Sequence, residues 1–125
     1  MSRPGERKEE PPFLRAEALE RIGGDADFLE ELLGIYRAEY AKKRKGLDRA
    51  LSKKDAEAVR ELGHSLKGSS ANLSLPGLRS AALEVENAGR AGDMTAAARA
   101  AERLGREYAR LTDYLAGPLK SRPRP

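Results

Sequence analysis

Val59-Arg60-Glu61-Leu62-Gly63-His64-Ser65-Leu66-Lys67-Gly68-Ser69-Ser70-Ala71-Asn72-Leu73 is the stretch on which the fold turns. At about 100° per residue, Val59, Leu62, Leu66, Ser69, Ser70 and Leu73 fall within an arc of roughly 100°, the inward stripe of an amphipathic helix. His64, the single histidine of the chain, lands about 180° from the middle of that stripe. Its neighbours on the wheel are Glu57, Arg60, Lys67, Gly68 and Ala71. The imidazole is therefore expected in water, beside a cation and two very small residues.

Working outward, the same periodicity recurs on both sides. Residues 1–12 carry Pro4, Gly5, Pro11 and Pro12 among charges and read as a disordered leader or linker. A short helix follows from Phe13 to Ile22, ended by Gly23-Gly24 and too short to stand alone. Asp25 is the expected N-cap of the longest helix, running to about Ser52 with Leu29, Leu32, Leu33, Tyr36, Tyr40, Leu47, Ala50 and Leu51 inward. Lys42-Lys43-Arg44-Lys45 interrupts that stripe and reads either as a solvated face or as a landing site for an acidic partner. Ser52-Lys53-Lys54 makes the turn, and Asp55 caps the helix that carries His64.

Pro76 biases Leu75 away from helical geometry, so that helix should stop near Ser74, and Pro76 suits the first turn of the next. There Leu78, Ala81, Ala82, Val85 and Ala88 point inward. Gly92 stops this helix and Asp93 caps the last one, where Met94, Ala97, Ala101, Leu104, Tyr108, Leu111 and Leu115 alternate by three and four. Gly117-Pro118 is the expected stop, leaving 117–125 as a basic, proline-rich tail. Short connections favour antiparallel neighbours. The expected fold is all-α: an antiparallel up-and-down four-helix bundle over 13–116, with a short additional N-terminal helix.

Composition narrows the function. The chain has 125 residues, no cysteine and a formal net charge of +4 from 24 Lys plus Arg against 20 Asp plus Glu. One domain with a single core fits this length, and neither a redox centre nor a thiolate metal site is possible. No apolar run approaches the ~20 residues of a membrane span, so a cytoplasmic, membrane-free protein is expected. The basic excess sits partly in the tails and only six residues are aromatic, Phe13, Phe28, Tyr36, Tyr40, Tyr108 and Tyr114; nucleic acid is not expected as a partner. One histidine excludes a histidine-pair metal site, and no glycine-rich phosphate loop is present.

His64-Ser65-Leu66-Lys67-Gly68-Ser69-Ser70 resembles the signature of histidine-containing phosphotransfer (HPt) domains, and the likeness extends over roughly Phe13 to Ala116. Two positions depart from the pattern: Ser74 follows Leu73 where the family usually has glycine, and Gly63 stands where alanine is common. Gly63 is expected to loosen a helix interior by roughly 0.5 to 1 kcal/mol. The resemblance implies a phosphorelay intermediate: His64 takes a phosphoryl group from the aspartate of a response regulator receiver domain and passes it to another, downstream of a sensor or hybrid histidine kinase. It also implies a carrier without its own ATP-dependent kinase activity, acting as a monomer and needing no cofactor, with any Mg²⁺ on the partner receiver.

An imidazole, with an unperturbed pKa of about 6.5, offers a nucleophilic lone pair at neutral pH. Phosphoryl transfer asks a protein mainly to position groups and balance charge. Lys67, one turn from His64, is expected to meet the phosphoryl oxygens as a point charge, and Arg60, one turn the other way, to do the same or meet the partner's acidic pocket. Gly68 and Ala71 leave open space for the docking domain. Ser69 and Ser70 read as structural. In several HPt domains a glutamine on the following helix hydrogen-bonds the ring nitrogen that is not phosphorylated, and the resemblance places that position at Glu86, where a carboxylate would orient the ring. The rival from another class is a helical adaptor or scaffold that binds signalling partners and never carries phosphate.

Overall fold

Asp25, Asp55 and Asp93 each turn a carboxylate onto the backbone N–H three residues on, at 3.0, 3.1 and 3.0 Å, and each thereby starts a helix by satisfying one of its orphan donors. The computed structural model describes residues 10–121. Among them the chain forms five helices, α1 (Arg15–Arg21), α2 (Ala26–Lys53), α3 (Ala56–Asn72), α4 (Pro76–Ala91) and α5 (Met94–Ser121). Pro76 opens α4 as expected, and Gly92 closes it in the left-handed conformation at φ 70°.

Three boundaries differ from the sequence expectations. First, α1 begins at Arg15 rather than Phe13, because Phe13 is drawn into the core at 2% exposure. In α2 the helix runs through Ser52 and Lys53, so the whole turn rests on Lys54 in the left-handed region at φ 56°. The last correction is at the end of the chain, where α5 passes through Gly117-Pro118 and continues to Ser121. Pro118 has no N–H to give the carbonyl four residues back, so the helix continues there with one backbone bond fewer. Most of the expected leader, and Arg122 to Pro125 of the tail, lie outside the described residues.

Helices that follow one another in the chain pack side by side. Between α2 and α3, Tyr36 meets Ser70 and Gly46 faces Leu62. Between α3 and α4, Gly63 lies against Ala82 and Glu86 while Arg60 lies against Gly89. Across α4 and α5, Ser80 and Glu84 both meet Arg103. Tyr40 on α2 stacks on Tyr108 of α5, with ring centroids 3.8 Å apart. Leu29, Leu47, Val59, Leu66, Leu75, Leu78, Val85, Leu104 and Leu111 fill the space between; all but Leu75, which lies in the turn before α4, are inward positions that the three-and-four spacing selects.

Arg44 resolves part of the basic run. Its Nη1 donates to the Ala101 carbonyl of α5 at 2.7 Å and its Nε to Asp48 at 3.1 Å, while Lys43 pairs with Glu39 at 3.0 Å. Half of the run therefore serves the fold.

The small helix α1 sits on the turn that ends α3. Arg21 Nη1 donates to the Ala71 carbonyl at 2.6 Å, and Leu14 N–H donates to the Ser74 carbonyl at 2.9 Å. Ser74 itself adopts φ 59°, the left-handed geometry that a glycine there would supply without strain. Its hydroxyl donates to Glu17 of α1 at 2.9 Å, a tertiary bond that helps hold that geometry.

Candidate functional site

The core stripe of α3 sets the direction of His64. Val59, Leu66 and Ser70 are fully buried, Leu73 nearly so, and the opposite face of the same helix must therefore meet solvent. The His64 side chain is 65% exposed. Ser70, on the inward side, shares a buried hydrogen bond of 2.8 Å with the Tyr36 hydroxyl, and burial pushes that phenol well above the usual range for tyrosine. Ser69 bonds back to the Ser65 carbonyl at 3.2 Å. Both serines are structural, as the sequence suggested.

Beneath the imidazole lies Glu86 of α4, only 4% exposed at its side chain. Its Oε2 is 3.1 Å from His64 Nδ1 and also 3.1 Å from Arg90 Nη2, and its Oε1 is 2.8 Å from Lys67 Nζ. A carboxylate this buried survives as an anion only when donors surround it. Here the contact from Lys67 comes first, and with the bonds from His64 and Arg90 it outweighs desolvation and depresses the Glu86 carboxyl to about 2. An ionised carboxylate can only accept a hydrogen bond. Nδ1 therefore carries the ring hydrogen, and the neutral imidazole keeps its lone pair on Nε2, the outward nitrogen.

Two glycines that sequence reasoning did not connect make this geometry possible. A Cβ on Gly63 would stand 2.5 Å from the Glu86 nitrogen and 2.8 Å from its Cα, and a Cβ on Gly89 would strike the Arg60 backbone in the same way. Such distances are below any real carbon contact. Absence of both side chains lets α3 and α4 approach until the Glu86 backbone lies directly against the turn that carries His64. The signal was available: a glycine inside a helix costs about 1 kcal/mol, so two of them on facing helices mark a close approach. Arg90 was also missed, although its position four residues after Glu86 marks a helical ion pair.

The remaining sequence candidates are distributed around the ring as follows. Gly68 is exposed and a side chain there would meet nothing within 4 Å; Ala71 is half-buried beside Arg21. Arg60 lies one turn from His64 but is engaged by Glu57 at 2.6 Å and Glu61 at 3.9 Å, which holds it along its own helix. Lys67 stands on Glu86 rather than free in solvent. Around His64 the structure brings together Lys67, Glu86, Gly68 and, unexpectedly, Arg90.

Comparison with known proteins follows the same residues. A family model described as "Hpt domain" matches residues 31–114, which include the whole of α3 and α4. The fold is similar to a crystal structure of histidine-containing phosphotransfer protein B from Pseudomonas aeruginosa PAO1, with a TM-score of 0.78 and 26% sequence identity, over 93% of this chain and 100% of that one. Among curated proteins no sequence matches.

Proposed function

We propose, from the premise that this chain belongs to the Hpt domain family and is a histidine phosphotransfer module of phosphorelay signalling, that His64 is its phosphoryl carrier and Nε2 the accepting atom. One observation carries this assignment: a solvent-facing imidazole whose Nδ1 is tied to a buried, ionised Glu86, so that the only free lone pair points outward. Glu86 is assigned the orienting role. Lys67, within a turn of the ring, shifts from Glu86 toward the arriving phosphoryl oxygens as a mobile point charge. The open space over Gly68, together with Ala71 and the Arg60 flank, receives the docking domain.

The donor and acceptor we assign are receiver domains of response regulators, fed by a sensor or hybrid histidine kinase. Their acidic cluster would hold the Mg²⁺ that neutralises the phosphoryl group; among the described residues no group of three or more His, Cys, Asp or Glu is placed to hold a metal ion. The opposed helix pairings favour an antiparallel up-and-down four-helix bundle of α2 to α5 with α1 added, acting as a monomer. No described helix is long and apolar enough to cross a membrane, and we assign the module to the cytoplasm.

Incubation with a phosphorylated receiver domain tests the proposal. Acid-labile, base-stable label on the wild type, lost in His64→Gln with the helical spectrum unchanged, is the expected result. Label that persists in His64→Gln would move the carrier role elsewhere. Lys67→Ala should fold normally and transfer more slowly; an unchanged rate would return that lysine to a purely structural partnership with Glu86.

A further inference from the structure

Resting on the assignment of His64 as carrier, we propose that Glu86 keeps the proton on Nδ1 throughout the transfer cycle, so that phosphorylated His64 is an imidazolium and stays in its readily transferable form. The family pattern noted above has an amide at this position in several members, and an amide can accept the same hydrogen bond without the charge.

The electron count shows why the charge matters. The Nε2 lone pair forms the N–P bond as the receiver's aspartyl O–P bond breaks, and that bonding pair departs with the aspartate carboxylate. No proton has to move. The ring held one hydrogen on Nδ1 before the step and holds it afterwards, but the phosphorylated ring now bears a positive charge. When the group moves on, the N–P pair returns to Nε2 and neutral imidazole leaves. If the Nδ1 proton were lost in between, the leaving group would be an imidazolide anion, a far poorer one, and the phosphoryl group would be stranded on the carrier.

Two features of the site retain that proton. Glu86 faces Nδ1 at 3.1 Å as an anion, which favours the cationic ring. Nor is Glu86 a ready acceptor of that proton, because Lys67 at 2.8 Å and Arg90 at 3.1 Å stabilise its anion independently of the ring. The other charges around the ring are Arg60, Glu57, Glu61 and Lys67 on α3 and Arg90 on α4. Arg60 answers Glu57 and Glu61, while Lys43 and Arg44 of α2 and Arg103 of α5 are engaged by Glu39, Asp48 and Glu84. Arg90 opposes the effect, since it draws on the same Oε2 as Nδ1 and adds a like charge beside the cationic ring.

Phosphoramidate, which charges histidine chemically without any receiver, separates this inference from the relay assignment. With the full chain phosphorylated in this way, loss of the phosphoryl group is followed from pH 5 to 9 in wild type, Glu86→Gln and Arg90→Ala. Removing a facing opposite charge should move the Glu86→Gln profile about one unit to lower pH, close to tenfold slower loss on its falling limb. Arg90→Ala should move it the other way. Superimposable profiles would overturn the proposal. A second reading needs no variant: ¹⁵N spectra of the phosphorylated wild type at pH 8 should show Nδ1 protonated, and a bare Nδ1 would overturn it equally. A phosphorylated receiver that leaves His64 unlabelled in a parallel reaction counts against the relay assignment alone.

Discussion

Gly63→Ala is a change that helix propensity alone would predict to stabilise the protein, by about 1 kcal/mol for a glycine inside a helix. The structure predicts the opposite. The added Cβ would stand 2.5 Å from the Glu86 nitrogen, about 0.9 Å short of the 3.4 Å at which ordinary contact begins, with the Glu86 Cα at 2.8 Å and the Ala82 carbonyl at 3.0 Å. All three neighbours belong to α4, two of them backbone atoms of Glu86 itself, so no side chain can swing aside. Relief requires α3 and α4 to part by most of an ångström. Overpacking of that kind costs about 1 to 3 kcal/mol, which leaves a net loss of about 1 kcal/mol and a fall in Tm of about 3 to 5 °C. The same parting stretches the 3.1 Å bond from His64 Nδ1 to Glu86 beyond hydrogen-bonding reach. Thermal unfolding should be run beside Gly68→Ala, whose methyl meets nothing within 4 Å and which should gain up to about 1 kcal/mol. Phosphotransfer from a receiver should slow in Gly63→Ala. A Gly63→Ala protein that melts above wild type, as Gly68→Ala should, would refute the close-approach argument.

Lys54→Gly removes a left-handed non-glycine residue at φ 56° and should stabilise by about 1 kcal/mol, seen as a Tm about 3 to 5 °C higher. Ser70→Ala leaves the buried Tyr36 hydroxyl without its 2.8 Å partner and should cost about 1 to 3 kcal/mol in denaturant unfolding, through desolvation rather than lost volume. Acid titration of stability should expose Glu86: its folded carboxyl lies near 2, below the ordinary glutamate value of about 4.3. Its contribution is therefore complete above that value and fades as pH falls toward 2. The stability gap between wild type and Glu86→Gln should be constant above pH 5 and close on acidification; a gap that widens on acidification would contradict the assigned direction.

Much of the architecture was legible in the chain because its signals are local. Aspartate caps at 25, 55 and 93, the proline at 76 and the glycine at 92 each act within one turn of backbone, so they marked helix ends without knowledge of any neighbour. Boundaries failed where a distant contact or the inertia of a long helix outweighed the local signal, at Phe13 and at Gly117-Pro118. Glu86 was placed by the spacing of the resemblance, but its contact with Lys67 was not, since that lysine reaches it from another helix; Arg90, four residues on in the same helix, was legible and missed.

Period and spacing alone determined that His64 lies opposite the buried stripe, for the angular position of a helical side chain depends on nothing but residue count. The distance between α3 and α4 was decided only in the folded molecule, where Gly63 and Gly89 present bare backbone to the facing helix. That separation converts a glutamate twenty-two residues away in the chain into the group beneath the ring, and no periodicity within either helix encodes how closely the two will meet.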